Sequence, residues 1–289
     1  MRISVTGTTG RVGAALAKHF AARHEVIPLP RSGCDLADRK SLAAALENLE
    51  CDVLLNPAGI TSLESCEDDP ALAMRVNAEA PAEIADWAAS RGLPVFHFST
   101  DYVFNSDAPR LFSEGDQPDP VSVYGRSKLA GEREVLARPG NCVVRISWVY
   151  GPEKPSFVDR VFDDALAGNP LAAIADKFSL PVLTTDLAEW IEKLVTGKTT
   201  GIIHACQSGE PVSWHGMAVA VVEEMVSLGL LSKGPPVRLQ ALAEAAAFRA
   251  PRPRYSAMAT DRLTNILGQP PRHWRDALSD YIQLKASLR

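Results

Sequence analysis

The stretch that most constrains how this chain folds is TGTTGRVG, residues 6–13, which sets Gly7, Gly10 and Gly13 between an apolar run and an amphipathic one. The first, RISVT (2–6), reads as a strand, and the second, RVGAALAKHFAAR (11–23), as a helix. Glycine permits the tight turn, lets the backbone approach a pyrophosphate, and lets helix pack closely on strand. The helix start then presents free N–H groups and the positive end of its dipole. Placed after the very first strand, this loop predicts a parallel sheet that binds a dinucleotide, with Gly7, Thr9, Gly10, Arg11, Val12 and Gly13 at the phosphates.

Downstream, short apolar runs keep alternating with helical patterns, as in a parallel sheet wrapped by helices. EVIPL (25–29), DVLLN (52–56), PVFHFS (94–99) and CVVRIS (142–147) read as strands. Between them lie helical stretches at 38–49, 71–89 and 124–137. The polar, proline-dotted segment 105–120 is too long for a simple connector and reads as functional. After Gly151 come a helix at 157–168, a strand-like LAAIA, a helix at 184–197 and the strand GIIHA (201–205). Helices are expected from there to the C-terminus, broken by PRPR at 251–254. The expected fold is α/β: a Rossmann-like doubly wound parallel sheet over residues 1–150, joined again by elements near 184–206. A smaller C-terminal substrate-binding lobe takes up most of 151–289.

Composition narrows the function classes. A formal charge of −5 gives no general attraction to nucleic acid or anionic membrane. No apolar run reaches the roughly 18 residues of a membrane span, and the chain enters a strand too early for a signal peptide. Its five cysteines are scattered without a CxxC spacing, which predicts reduced thiols in a cytoplasmic protein. The six histidines show no HxH or HxxxH pairing, so no metal site is expected.

Two motifs carry chemistry. VYGRSKLAGE places Tyr124 and Lys128 four residues apart, on one face of a helix. A phenol with a pKa of about 10 is a poor acid at neutral pH. An ammonium about 4 Å away, at an effective dielectric of about 20, favours the phenolate by on the order of 4 kcal/mol. That is roughly three pKa units, enough to bring Tyr124 near working pH. The second motif is FHFSTDYVF (96–104), a strand ending in Ser99, Thr100 and Asp101. Ligands of open parallel sheets bind outside the carboxyl ends of the strands. Thr100 would there polarise a carbonyl oxygen together with Tyr124.

The spacing G-x-x-G-x-x-G resembles that of the short-chain dehydrogenase/reductase superfamily. On that resemblance Asp35, with Leu36 in CDLAD, faces the adenine ring. Asn56, Ala58 and Gly59 in NPAG lie beside the adenosine ribose, and Ser99 also borders the cofactor. Arg31 in LPRSG stands where an acid would bind the ribose 2′-hydroxyl, which favours NADP(H), with NAD(H) as the alternative. Nucleotide-sugar 4,6-dehydratases of the superfamily carry Thr-Asp-Glu at the strand end. Here Tyr102 takes the third place and cannot replace a glutamate base, which leaves ketone reduction as the favoured reaction.

Over nearly its whole length the chain resembles the dTDP-4-dehydrorhamnose reductases. The match runs through STDYVF, YGRSKLAGE, RISWVYG, DKFSLPVLTTDLA, RPRYSAM and WRDAL. The resemblance makes Tyr124 the proton donor, Lys128 its electrostatic partner and ribose ligand, and Thr100 the hydroxyl that orients the sugar ketone. Asp101, Tyr102 and Trp148 would border the hexose, and Arg252 and Arg254 the diphosphate. The implied reaction is NADP(H)-dependent reduction of the 4-keto group of a nucleotide-linked 6-deoxyhexose, dTDP-4-dehydro-L-rhamnose first among them, by a monomer or homodimer.

Three departures stand out. The usual N-A-A-A-Y-T is Asn56-Pro57-Ala58-Gly59-Ile60-Thr61; the usual D-Q-x-G-x-P-T is Asp176-Lys177-Phe178-Ser179-Leu180-Pro181-Val182; and Tyr255 replaces the asparagine of R-P-x-N-S. Some members dimerise through a metal held by an acid on the first helix, where this chain has Ala14-Ala15. Two rival readings remain. One is a non-catalytic NADP-binding regulatory subunit resembling that of methionine adenosyltransferase. The other is a different nucleotide-sugar ketoreductase or epimerase.

Overall fold

The computed structural model describes residues 1–288. β1 (Arg2–Thr6) enters the glycine loop, and Gly7 turns the chain there at φ +58°, a region that favours glycine. α1 (Arg11–Phe20) follows, and a Cβ on its Gly13 would fall 2.3 Å from the Gly7 carbonyl oxygen. Only glycine lets helix and loop approach that closely. β2 (Glu25–Leu29) pairs with β1 alone, and Pro28, lacking an N–H, is suited to that edge strand. Asp38 caps α2 (Arg39–Glu47) by accepting from the Lys40 N–H, and β3 (Val53–Asn56) lies on the other side of β1.

The single helix expected over 71–89 is subdivided. After α3 (Leu63–Asp68) come α4 (Pro70–Met74), a π turn at Arg75–Glu79, and α5 (Ala80–Ala89). The π turn aims Asn77 at the loop after β3. Its Oδ1 accepts from Ile60 N at 2.9 Å, and its Nδ2 donates to Ile60 O and Ser127 Oγ. β4 (Val95–Thr100), α6 (Val123–Leu136) and β5 (Cys142–Ile146) come next.

β6 (Val149–Tyr150), α7 (Phe157–Ala167), β7 (Leu171–Ile174), β8 (Phe178–Ser179), β9 (Val182–Leu183) and α8 (Thr184–Thr196) lead to β10 (Gly201–Ala205). β10 lies beside β5, completing a six-stranded sheet of order β10-β5-β4-β3-β1-β2 in which every pairing is parallel. The order reverses at β1, with β2 on one side and β3 on the other, which opens a crevice at the carboxyl ends of β1 and β3. All of β3 and β4 is buried, as expected for strands covered on both faces.

β11 (Val212–Ser213), α9 (Trp214–Ser227), β12 (Val237–Gln240), α10 (Asp261–Leu267) and α11 (Trp274–Ser287) complete the chain. β12 corrects the expectation of helices throughout this region: Pro235 and Pro236 disfavour a helix there, and VRLQ pairs in parallel with the distant β7. A second core, including Phe112, Tyr150, Phe162, Met225 and Trp274, joins α7, α9 and α11 to the segment after β4. The long polar loop is pinned to the C-terminal segment by bonds from Phe112 N to Ala257 O and from Ala259 N to Phe112 O. All five cysteines are buried and free. Among the described residues no helix is long and apolar enough to cross a membrane.

Candidate active site

A cavity of about 700 Å³ follows the crevice from the glycine loop to α6. It brings together Gly7, Thr9, Gly10, Arg11, Val12, Gly13, Arg31, Asp35, Leu36, Ala58 and Gly59 with Ser99, Thr100, Asp101, Tyr102, Tyr124, Lys128 and Trp148. Segments separated by more than a hundred residues in sequence thus line one space. Asn56, Arg252 and Arg254 are not on its walls.

Asn56 is fully buried behind the crevice. Its Oδ1 accepts from Thr6 Oγ1 at 2.7 Å, and its Nδ2 lies 3.1 Å from His97 Nδ1. Thr6 Oγ1 in turn accepts from Ala58 N, so Asn56 braces the loop at the crevice instead of reaching into it. Arg31 is exposed and pairs with Asp35, Nε to Oδ2, at 3.3 Å. Arg11 donates to the carbonyls of Lys154 and Pro155, tying the start of α1 to the turn that precedes α7.

The glycine cradle fits a dinucleotide pyrophosphate. The first turn of α1 holds no acidic side chain to occupy its N–H groups, and added Cβ atoms at Gly7 or Gly13 would meet backbone within 3.1 Å.

α6 is positioned by its small residues. Ser122 caps it, accepting from Gly125 N at 3.1 Å. A Cβ on Gly125 would fall 2.4 Å from Tyr102 O, and one on Gly131 2.1 Å from Asn77 O. This close packing brings Tyr124 to the end of β4, where its ring meets that of Tyr102 edge-on at 5.8 Å. Thr100 Oγ1 accepts from Tyr102 N at 3.1 Å, lies 3.3 Å from Asp101 Oδ1, and hydrogen-bonds the Tyr124 phenol.

The electrostatics of the pair differ from the expectation. Burial pushes the Tyr124 phenol up, Thr100 opposes that shift, and Asp101 and Cys66 add to it. Lys128 is not among the groups acting on the phenol. Its Nζ lies 3.4 Å from His97 Nε2, and burial lowers the ammonium to about 8 against the pull of Glu132 and Cys66. The predicted acidification of Tyr124 by Lys128 is therefore corrected, because desolvation outweighs attraction when both groups are fully enclosed. The phenol keeps its proton through neutral pH.

At the other end Trp148 stands on the cavity wall, and its buried indole N–H has no partner among the described residues. The buried Arg252 side chain donates to Glu64 Oε1 at 2.8 Å and bonds Tyr102, leaving its Nε unpaired. Arg254 is exposed and lies over the Tyr255 ring. Sequence reading overlooked two groups of residues here. Glu132 takes two bonds from Arg145 and one from Ser99, all three residues being buried. Lys177 is wholly buried behind Asp101. Their only signal was a place inside the quoted motifs.

Comparison with known proteins agrees with this geometry. Residues 1–286 match the RmlD substrate binding domain family. A dTDP-4-dehydrorhamnose reductase of Mycolicibacterium smegmatis is 35% identical over 97% of this chain and 85% of its own length. A probable dTDP-4,6-dihydroxy-2-methyloxan-3-one 4-ketoreductase of Streptomyces antibioticus is 34% identical over 97% of this chain and 94% of its own. A solved dTDP-4-dehydrorhamnose reductase of Bacillus anthracis, in complex with NADP, superposes with a TM-score of 0.88 at 25% identity, covering 98% of this chain and 99% of that one.

Proposed function

The chain belongs to the RmlD substrate binding domain family, and we propose that it reduces the 4-keto group of a nucleotide-linked 6-deoxyhexose with NADPH, taking dTDP-4-dehydro-L-rhamnose to dTDP-L-rhamnose. The observation that carries this reading is the single cavity that runs from the glycine cradle to Thr100, Tyr124 and Lys128. The residues that line it run from Gly7 to Val149, within the cofactor domain of residues 1–150 and 184–206, and most of 151–289 is proposed as the lobe that completes the sugar end.

A dinucleotide in the cradle supplies the hydride. The glycine-loop N–H groups hold its phosphates, and Arg31, exposed and paired with Asp35 at 3.3 Å, can turn to a ribose 2′-phosphate. Tyr124, kept protonated by burial, gives its proton to the ketone oxygen as negative charge develops there. Thr100 orients that oxygen and stays hydrogen-bonded to the phenolate left behind, and Lys128 holds the ribose. Trp148 and Tyr102, both on the cavity wall, border the hexose, and Arg252, buried off that wall against Glu64, would reach the diphosphate on leaving that pairing.

The kinship to a Streptomyces 4-ketoreductase keeps a different keto sugar as the second reading, since Lys177, Ser179 and Tyr255 depart from the common pattern at the sugar end. A non-catalytic NADP-binding role is disfavoured by the assembled Thr100, Tyr124 and Lys128. Incubation with NADPH and a panel of dTDP- and UDP-linked 4-keto sugars, with NMR of the products, tests the assignment. Consumption of NADPH with dTDP-4-dehydro-L-rhamnose and formation of dTDP-L-rhamnose is expected; turnover of another keto sugar alone refutes the substrate, and none at all refutes the reaction.

A further inference from the structure

A closed polar cluster backs the sugar end of the cavity, and the mechanism above leaves it unused. Lys177, Ser179 and Ser256 are wholly buried and Asp101 is 1% exposed. Lys177 Nζ donates to Ser256 Oγ at 2.7 Å, and Ser256 donates to Asp101 Oδ2 at 2.5 Å. Ser179 donates to the same oxygen at 2.8 Å, and the ammonium stands 3.9 Å from it. Asp101 Oδ1 takes the Thr100 hydroxyl at 3.3 Å. Lys177 Nζ also lies 4.7 Å from the centre of the Tyr102 ring and 5.3 Å from that of Trp148, the two aromatic walls.

Thr100 has one hydroxyl proton and two claimants for it, the Asp101 carboxylate and an incoming ketone oxygen. A buried carboxylate without a counter-charge is by far the stronger acceptor. A nearby cation and two serine hydroxyls weaken its pull, so the proton can turn toward the ketone. The same cation on two ring faces stiffens the walls around the hexose.

We propose that Lys177 is a positioning residue of the reduction, acting through Asp101 on the Thr100 hydroxyl and through the ring faces on Tyr102 and Trp148, without touching substrate. The inference rests on the reductase reading, and Lys177 stands where the resembling family commonly carries glutamine. The charged and titratable groups around the cluster are Asp101, Tyr102, Tyr124, Cys206 and Arg252.

Full-length wild type, Lys177→Met, Asp101→Asn and the double variant test it on two independent readouts. The first is melting temperature without ligand, read as a double-variant cycle. Lys177→Met leaves the buried Asp101 carboxylate without its cation, whereas in the Asp101→Asn chain there is no carboxylate to strand. Lys177→Met should therefore be tolerated clearly worse in the Asp101 chain than in the Asp101→Asn chain. The second readout is steady-state kinetics: kcat of Lys177→Met should fall about tenfold or more, with KM changed less than about threefold. Effects of Lys177→Met and Asp101→Asn that simply add in the double variant overturn the charge coupling whether or not the chain reduces a sugar. Coupling with an unchanged kcat overturns the positioning role. An inactive wild type with coupling intact instead sinks the reductase reading, and the role with it.

Discussion

Replacing Lys128 by methionine should make the protein more stable and far less active. Lys128 is 4% exposed, and burial lowers its ammonium from 10.5 to about 8. That difference is about 2.5 units, or about 3 kcal/mol at ~1.36 kcal/mol per unit. The folded value lies below the unfolded one, so the cost is full below about pH 8, shrinks as pH rises toward 10.5, and is gone above it. Methionine keeps much of the volume without a charge to desolvate, and gives up the 3.4 Å contact to His97 and the pull of Glu132 that the lowered value already includes. At roughly 2–4 °C per kcal/mol for a chain of this size, the gain at about pH 7 should be roughly 5–10 °C. Neighbours do not blur the window: His97 is held far below neutral by burial and Lys128, and the Cys66 thiol is pushed up to about 11. Scanning calorimetry at about pH 7 and about pH 10 should show the gain largely lost at the higher pH. A variant no more stable than wild type at pH 7, or one whose advantage ignores pH, refutes the desolvation argument.

Gly13→Ala would place a Cβ 2.3 Å from Gly7 O, and fluorescence titration should show NADPH affinity falling by about tenfold or more as the loop shifts. Glu132→Gln leaves the buried Arg145 without its charge partner, which urea unfolding should register as a loss of about 3–5 kcal/mol. Arg31→Ala should raise KM for NADPH about tenfold while leaving that for NADH nearly unchanged, since only the former carries the 2′-phosphate.

The sheet was legible because its strands are short apolar runs, fully buried in β3 and β4, and the glycine loop marks the first crossover. The π turn at Arg75–Glu79 was not, because an alanine-rich stretch favours helix without specifying where one extra residue is inserted. β12 escaped for a different reason: VRLQ alternates over only four residues, none of them buried, and its strand state comes from pairing with the distant β7. At the site, the meeting of Tyr124, Lys128 and Thr100 at one cavity was readable from motif spacing. Their electrostatics were not, since a helix face says nothing of how completely it will be covered. Lys177 ran against the expectation that lysine stays solvated, and only its substitution within a motif marked it. Asn56 sat in the right loop but faces inward, a choice made by Thr6 and His97 on neighbouring strands.

The central claim is that the Tyr124 phenol delivers a proton to a sugar ketone in this crevice. Single-turnover reduction of dTDP-4-dehydro-L-rhamnose by wild type and Tyr124→Phe, each saturated with NADPH, tests it most directly. Equal NADPH affinity with a rate at least about a hundredfold lower in the variant is the expected result. A variant that reduces the ketone as fast as wild type would contradict it.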